Sequence, residues 1–130
     1  MFGEEPILGQ NELTLDKKGR IFIPAHTKRE QGENLVLVYD KDLDIYEIYS
    51  KAKYSEILQI LTKKYLAAET KIEEIKYKKK IYEIGKSVLR ESKVDSQGRF
   101  LTGNVFEGED KLLSIGCHDH LKIEKIKTKK

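Results

Sequence analysis

Hydrophobic and polar residues alternate in short runs near the start of this chain, a pattern typical of β-strands. The segment NELTLD alternates up to Asp16, the turn DKKG includes that residue, and the β-prone run RIFI begins at Arg20. Residues 32–50, GENLVLVYDKDLDIYEIYS, alternate on both sides of a polar turn at 40–44. The pattern predicts a strand, a tight turn, a second strand, a short connection and a β-hairpin.

The short connection between the second strand and the hairpin carries the signals of a brief helix. Pro24 suits the first helical position, because the N–H that proline lacks would have no intrahelical partner there. The helix is predicted to run for one or two turns through AHTKREQ and to end before Gly32.

The same order of residues occurs again towards the other end of the chain. The recurring positions are Asp16, Gly19 and Arg20, which return 79 positions later as Asp95, Gly98 and Arg99. Residues 108–126 likewise resemble residues 32–50, which indicates an internal duplication. Because a unit of about 45 residues buries little apolar surface alone, the copies are expected to pack on each other, and interleaved strands would achieve this.

Between the copies, apolar residues recur at the spacing of amphipathic helices. Residues 51–90 contain no proline and only one glycine, Gly85. Thr70 and Glu73 match a capping box near AAET, which favours two helices, with one long helix as the alternative. The predicted organisation is a first repeat at 9–50, a helical segment at 51–90 and a second repeat at 91–126.

Composition excludes several classes of function. The formal charge is +3, from 25 basic and 22 acidic side chains, which permits polyanion binding without requiring it. No apolar run approaches the roughly 20 residues of a membrane span, and the first residues lack a basic leader, so we expect a cytoplasmic protein without a membrane partner. The one cysteine, Cys117, is consistent with a reducing compartment.

Neither an enzyme nor a metal site is expected. The sequence suggests no Ser-His-Asp or Cys-His arrangement and no glycine-rich phosphate loop, so neither a cofactor nor a small-molecule substrate is predicted. Cys117, His118 and His120 form CHDH, but no second Cys or His cluster completes four zinc ligands. A polar hairpin turn is the preferred interpretation of these residues.

The distribution of arginine points to recognition of an anion or a base. The chain has 21 lysines and only four arginines, and two of the four occupy the same place in both copies. The planar guanidinium suits paired acceptors such as guanine O6 and N7 or a phosphate. Arg20 is the first candidate for a base contact and Arg99 the second. The Asp of each turn could accept from turn amides or brace the arginine, and its Gly lets the chain reverse.

The order LTLDKKGRIFIP, helix, hairpin, helical segment and VDSQGR resembles the MraZ family of bacterial transcriptional regulators, over about residues 9–125. The resemblance implies an α+β fold with a mainly β core: two tandem AbrB-like (SpoVT-AbrB) swapped-hairpin units forming a pseudo-symmetric small β-barrel, with a helical insert. It also implies a nucleoid-associated, DNA-binding repressor that forms rings on direct repeats in promoter DNA, notably that of the division and cell-wall cluster. The residues assigned to DNA are Asp16, Lys17, Lys18, Gly19, Arg20, Lys28, Arg29, Asp95, Gly98 and Arg99, with the lysines and Arg29 near phosphates.

The second copy departs from the family pattern. Thr102 and Gly103 stand where the first copy has Ile23 and Pro24. The second turn has Ser96 and Gln97 in place of Lys17 and Lys18, and therefore two fewer positive charges. The alternative function is an oligomeric structural or protein-interaction scaffold, antitoxin-like, with reduced DNA binding.

Overall fold

Antiparallel strands make up most of this α+β molecule, and two helices complete it, as the sequence predicts. The computed structural model describes residues 1–126. In chain order the elements are β1 (Gln10–Thr14), β2 (Arg20–Phe22), a 3₁₀ turn (Ala25–Thr27), β3 (Asn34–Asp40), β4 (Ile45–Ser50), α1 (Lys51–Leu66), α2 (Lys71–Ser87), β5 (Val88–Lys93), β6 (Arg99–Leu101), β7 (Lys111–Gly116) and β8 (Leu121–Lys125).

Strands of one copy pair with strands of the other in both sheets of the molecule. A six-stranded sheet has the order β1-β7-β8-β4-β3-β5, and β2 pairs with β6 in a separate two-stranded ribbon. The pairs β1 with β7, β3 with β5, β4 with β8 and β2 with β6 are all antiparallel, and each joins the two copies. The interleaving expected from the small size of each copy is therefore confirmed, and neither copy completes a sheet alone.

The core lies where the inner faces of these strands meet. Ile21 and Phe100 are partners in the β2–β6 ribbon, and both are fully buried. They join one apolar cluster with residues from both copies, including Leu37, Ile48 and Leu112. Burial of each such side chain stabilises the fold by roughly 1.5–3 kcal/mol. One face of the ribbon is thus buried in the core, and the opposite face does not contribute to that core.

Two helices separate the copies, so the prediction of two helices is confirmed and the alternative of one long helix is wrong. Ser50 caps α1 by accepting a hydrogen bond from the Lys53 amide at 3.1 Å. Thr70 caps α2 by accepting from the Glu73 amide at 3.1 Å, as its position in the sequence predicts. Neither helix contains a fully buried residue. Of the helices in residues 1–126, none is long and apolar enough to cross a membrane.

The connection after β2 is shorter than predicted. It contains a single 3₁₀ turn, Ala25–Thr27, with Pro24 just before the turn at its cap instead of at the first helical position. Lys28 ends the turn in the left-handed region, with φ at 62°, because the chain there bends back towards the strands. The next residue, Arg29, donates its Nε–H to the carbonyl of Ile23. This local contact stands where a second helical turn was predicted.

Candidate nucleic-acid interface

The first Asp-x-x-Gly-Arg turn is closed by one carboxylate. Oδ1 of Asp16 accepts hydrogen bonds from the backbone amides of Lys18 and Arg20, each at 2.9 Å. Oδ2 accepts from Nε of Arg20 at 2.7 Å. Gly19 takes a φ of 79°, which an L side chain rarely adopts, so the glycine is required by the turn. The aspartate thus fixes the backbone and the arginine side chain together.

The second turn has the same geometry. The Asp95 carboxylate accepts from the amides of Gln97 and Arg99 at 2.9 and 2.8 Å and from Nε of Arg99 at 2.7 Å. Gly98 has a φ of 78°. Both roles suggested for the aspartate, accepting from turn amides and bracing the guanidinium, are therefore present in both copies.

Both aspartates are held ionised by their turns. The pKa of Asp16 is lowered, chiefly by the Arg20 amide and further by the Arg20 side chain, against a smaller opposing effect of burial. For Asp95, burial is the largest single influence and raises the pKa. The hydrogen bonds from Arg99 and Gln97 together outweigh it, so the pKa of Asp95 is also lowered. A negative charge beside each arginine keeps its fork in one orientation.

The ribbon β2–β6 brings the two arginines onto one surface. Arg20 pairs with Leu101, and Arg99 pairs with Phe22. Side chains of paired residues share a face, and residues two apart on a strand share it too, so all four lie opposite the buried pair Ile21 and Phe100. The two arginines are diagonal neighbours in this register, with Cα atoms about 7–8 Å apart. We call this surface, made by Arg20, Phe22, Arg99 and Leu101, the ribbon face.

Each arginine uses only part of its hydrogen-bonding capacity inside the protein. Nε of Arg20 and Nε of Arg99 are committed to the aspartates. Among residues 1–126, no hydrogen bond or ion pair occupies the Nη1 or Nη2 groups of either side chain. The side chains are 28% and 20% exposed, respectively. Two held guanidinium groups therefore present unused donors from one face.

Hydrogen bonds lock the two turns to each other. The Gly98 carbonyl accepts from the Ile23 amide at 2.9 Å. In the equivalent place, the Gly19 carbonyl accepts from both the amide and the hydroxyl of Thr102, each at 2.7 Å. The departure at Thr102 is therefore a gain of one hydrogen bond at a fully buried position. The departure from the family pattern in the second copy thus adds a hydrogen bond to the turn of the first copy.

The other basic residues predicted to contact DNA differ in how close they lie to the two turns. Lys17 and Lys18 are exposed at the tip of the first turn. Arg29 lies with its guanidinium against Gly98, next to the second turn. Lys28 lies 3.9 Å from a carboxylate oxygen of Glu5, and no hydrogen bond or ion pair among residues 1–126 joins Lys28 to either turn. The structure thus places Lys17 and Lys18 at the tip of the first turn and Arg29 beside the second turn. Lys28 is near the turns in sequence but, within residues 1–126, bonds to neither of them.

One arginine that sequence reasoning did not assign also lies at this site. A Cβ atom placed on Gly103 would lie 3.3 Å from Nη1 of Arg90, so this guanidinium flanks the backbone that packs on Gly19. All four arginines of the chain consequently lie in or against the two turns. The rarity of arginine in a lysine-rich chain was the signal that pointed to Arg90 as well.

The CHDH segment forms part of a polar cluster at the β7–β8 hairpin. Nε2 of His120 lies 2.7 Å from Glu47 and Nδ1 lies 2.9 Å from Asp119, while the ring stacks on Tyr49 at 4.4 Å. Burial lowers the pKa of His120, but the two carboxylates outweigh it and raise the pKa above 6.5. Within residues 1–126 no three His, Cys, Asp or Glu side chains form a group suited to a metal ion.

Comparison with known proteins gives a consistent result. A family model described as "MraZ protein, putative antitoxin-like" matches residues 7–73. A transcriptional regulator MraZ of Caldanaerobacter subterraneus subsp. tengcongensis is 32% identical over 123 residues, covering 92% of this chain and 70% of that protein. Another transcriptional regulator MraZ, from a Thermoanaerobacter species, is 31% identical over 124 residues, with the same coverage of 92% and 70%. The similarity therefore includes both Asp-x-x-Gly-Arg turns.

Proposed function

This chain belongs to the MraZ family, and from that membership we propose that it is a transcriptional regulator that represses by binding double-stranded promoter DNA. It acts by binding and not by catalysis, and it needs no cofactor. The observation that carries the proposal is the ribbon face, where Arg20 and Arg99 lie side by side with unused Nη donors. A single arginine on a surface turn is common, whereas two arginines braced by aspartates on one face form a recognition surface.

The ribbon face has the architecture of a major-groove reader, an antiparallel two-stranded β-ribbon with arginines on one side. The major groove admits a two-stranded β-ribbon, and an arginine placed there can donate to guanine O6 and N7. Because Asp16 holds Nε of Arg20, the fork need not be ordered at the moment of binding. In this proposal Arg20 makes the main base contact and Arg99 a second one, while Asp95 braces Arg99 in the same way.

The neighbouring basic side chains supply affinity without sequence information. Lys17 and Lys18 extend from the first turn, and Arg29 lies beside the second turn. Contacts of such groups with phosphates release counterions, so binding weakens as salt rises. Lys28 belongs to this set through its place in the chain, although its nearest acidic partner is Glu5.

The finer features implied by the family complete the proposal. The interleaved strands are the arrangement expected of two swapped-hairpin units that close a small pseudo-symmetric barrel, with repeats at 9–50 and 91–126 and a helical insert at 51–90. One ribbon offers few contacts, so useful affinity requires several subunits on repeated sites, and we propose a ring-shaped homo-oligomer on direct repeats. The division and cell-wall promoter and a cytoplasmic, nucleoid-associated location belong to the same proposal.

A DNA-binding titration of the full chain against the DNA upstream of its own gene tests this function. Arg20→Ala is expected to lose about 1–3 kcal/mol of binding free energy and part of its sequence preference. Arg20→Lys is the matched control, because it keeps the charge and removes the planar fork, and it should restore nonspecific affinity only. Unchanged affinity and preference in Arg20→Ala would remove the proposed role of the ribbon face.

The rival function is a protein-interaction scaffold of the antitoxin-like kind named in the family description. The second turn favours it, because Ser96 and Gln97 replace the lysines that would meet phosphates. A scaffold would bind the upstream DNA weakly and without regard to sequence, at every salt concentration. Competition with unrelated DNA of the same length therefore separates the two functions.

A further inference from the structure

Phe22 is a large apolar side chain in an unusual position. It lies on the ribbon face as the direct cross-strand partner of Arg99 and is 52% exposed. Its neighbour Ile21 points to the opposite face and is fully buried. Phe22 therefore takes the outward position of a strand whose inward position is already filled by an apolar residue.

The protein itself makes little use of this ring. Among residues 1–126, Phe22 takes part in no aromatic pair, and no lysine or arginine lies over its face. The equivalent position of the second copy is Leu101, which is a smaller side chain and half-buried. The ribbon face is thus asymmetric, with an exposed aromatic ring beside Arg99 and an aliphatic group beside Arg20.

We propose that Phe22 is a specificity-determining residue that contacts thymine methyl groups in the major groove. This inference rests on the proposed DNA-binding function and extends it to a base preference. The C5-methyl of thymine projects into the major groove, and phenylalanine is one of the side chains that contact it. Because Phe22 shares the ribbon face with both arginines, a pose that brings the forks to guanine edges brings the ring to the adjacent base pairs.

The expected preference is modest and measurable. Burial of one methyl-sized group contributes a factor of about four in affinity, and this factor applies to each thymine methyl that the ring covers. The preference should favour a thymine next to the guanine read by Arg99, because Phe22 and Arg99 are direct cross-strand partners. A site in which this thymine is replaced by cytosine lacks the methyl group and loses the contact.

The probe is the DNA upstream of the protein's own gene, prepared once with thymine and once with uracil in its place. Uracil keeps the Watson–Crick pairing and lacks the methyl group. Wild type should bind the thymine form about fourfold or more tightly, and Phe22→Ala should reduce this ratio to near one. Phe22→Leu should keep part of it, and Leu43→Ala, at an exposed apolar position in the β3–β4 turn, should leave it unchanged.

The outcomes separate the inference from the function on which it rests. If wild type binds the upstream DNA specifically and Arg20→Ala does not, but the thymine-to-uracil ratio is one in wild type or survives in Phe22→Ala, the role of Phe22 is overturned and the DNA-binding function stands. If wild type shows no sequence preference at all, both fail. A Phe22→Ala variant of lower oligomeric mass assigns the ring to a subunit contact and also overturns the inference.

Discussion

The two Asp-x-x-Gly-Arg turns have nearly identical internal geometry and different surroundings. In each, the aspartate accepts from two amides and one Nε, with all distances between 2.7 and 2.9 Å. The first turn packs its glycine against the backbone of Gly103, and the second packs its glycine against the side chain of Arg29. The glycine of the first turn therefore abuts backbone atoms, whereas the glycine of the second abuts a side chain.

This difference concerns function as well as stability. The turn whose glycine abuts backbone is also the one that carries Lys17 and Lys18. We expect this basic turn to be better preorganised for an ordered contact than the second turn, which has a neutral tip and a side chain beside its glycine. This difference between the turns agrees with the prediction that Arg20 makes the main base contact and Arg99 the second one. Four experiments test it.

The largest effect is expected from alanine at the two glycines. A Cβ at Gly19 would overlap the carbonyl oxygen of Gly103, which cannot move without breaking the ribbon, and the φ of 79° adds strain. We expect Gly19→Ala to lose roughly 3–5 kcal/mol of unfolding free energy. At Gly98, with a similar φ of 78°, the three atoms nearest to a Cβ all belong to the Arg29 side chain, which can move aside, so Gly98→Ala should lose about 1–3 kcal/mol.

Urea unfolding of both variants measures this difference. Gly32→Ala is a suitable control, since its φ of 81° imposes similar strain while a Cβ there meets nothing within 4 Å. Equal losses at Gly19 and Gly98 would contradict the idea that the backbone supports one turn and a side chain the other.

The second prediction concerns His120, which has no counterpart in the first hairpin. Its ring is only 17% exposed and bonds to Glu47, a residue of the other copy. Because its pKa is raised in the folded state, its contribution is full below the unfolded value of 6.5 and is lost as pH rises through the folded value. His120→Gln should lose about 1.5–3 kcal/mol at pH 5.5 and less at pH 9.

Unfolding free energies at the two pH values test the sign. The ring is surrounded by Glu47 and Asp119, with Lys53 near Asp119 at 3.6 Å. His26→Gln removes an exposed histidine and should change stability little at either pH. A loss at His120 of the same size at both pH values would show that the ring contributes by packing on Tyr49 instead.

The sequence predicted the features of the fold that depend on the spacing of neighbouring residues. The turns follow from Asp and Gly at fixed offsets, and the two helices follow from apolar periodicity and the cap at Thr70. It could not predict contacts made by interleaving, because these join residues about 80 positions apart. Thr102 stands where the first copy has an apolar residue, and its hydroxyl supplies a second hydrogen bond to the Gly19 carbonyl. Arg29 likewise packs its guanidinium against Gly98 of the other copy.

The third prediction exchanges the tips of the turns. The double variant Lys17→Ser with Lys18→Gln gives the first turn the tip residues of the second. It should make the salt dependence less steep, reducing the magnitude of the slope of log affinity against log salt by about 2. The reverse double variant, Ser96→Lys with Gln97→Lys, should increase the magnitude of the slope by less than about 2. The second turn has a side chain beside its glycine, and we expect it to align its phosphate contacts less well. Equal and opposite changes would mean that the two turns meet DNA alike.

The smallest effect is expected from Asp16→Asn and Asp95→Asn, followed by melting temperature against pH. Both carboxylates have lowered pKa values in the folded state, so their stabilisation is present above the unfolded value of 3.8 and is lost as pH falls through the folded values. Each variant should therefore melt below wild type at neutral pH and approach it below pH 3.8.

The amide hydrogen bond dominates at Asp16, whereas burial opposes ionisation most strongly at Asp95. Both pKa values are nevertheless lowered, and the two carboxylates make the same three hydrogen bonds at nearly the same distances, so the two variants should lower the melting temperature at neutral pH by similar amounts. A clearly larger effect at Asp95 would mean that the second turn contributes more to stability than the first, and the ranking of the two turns would have to be reversed.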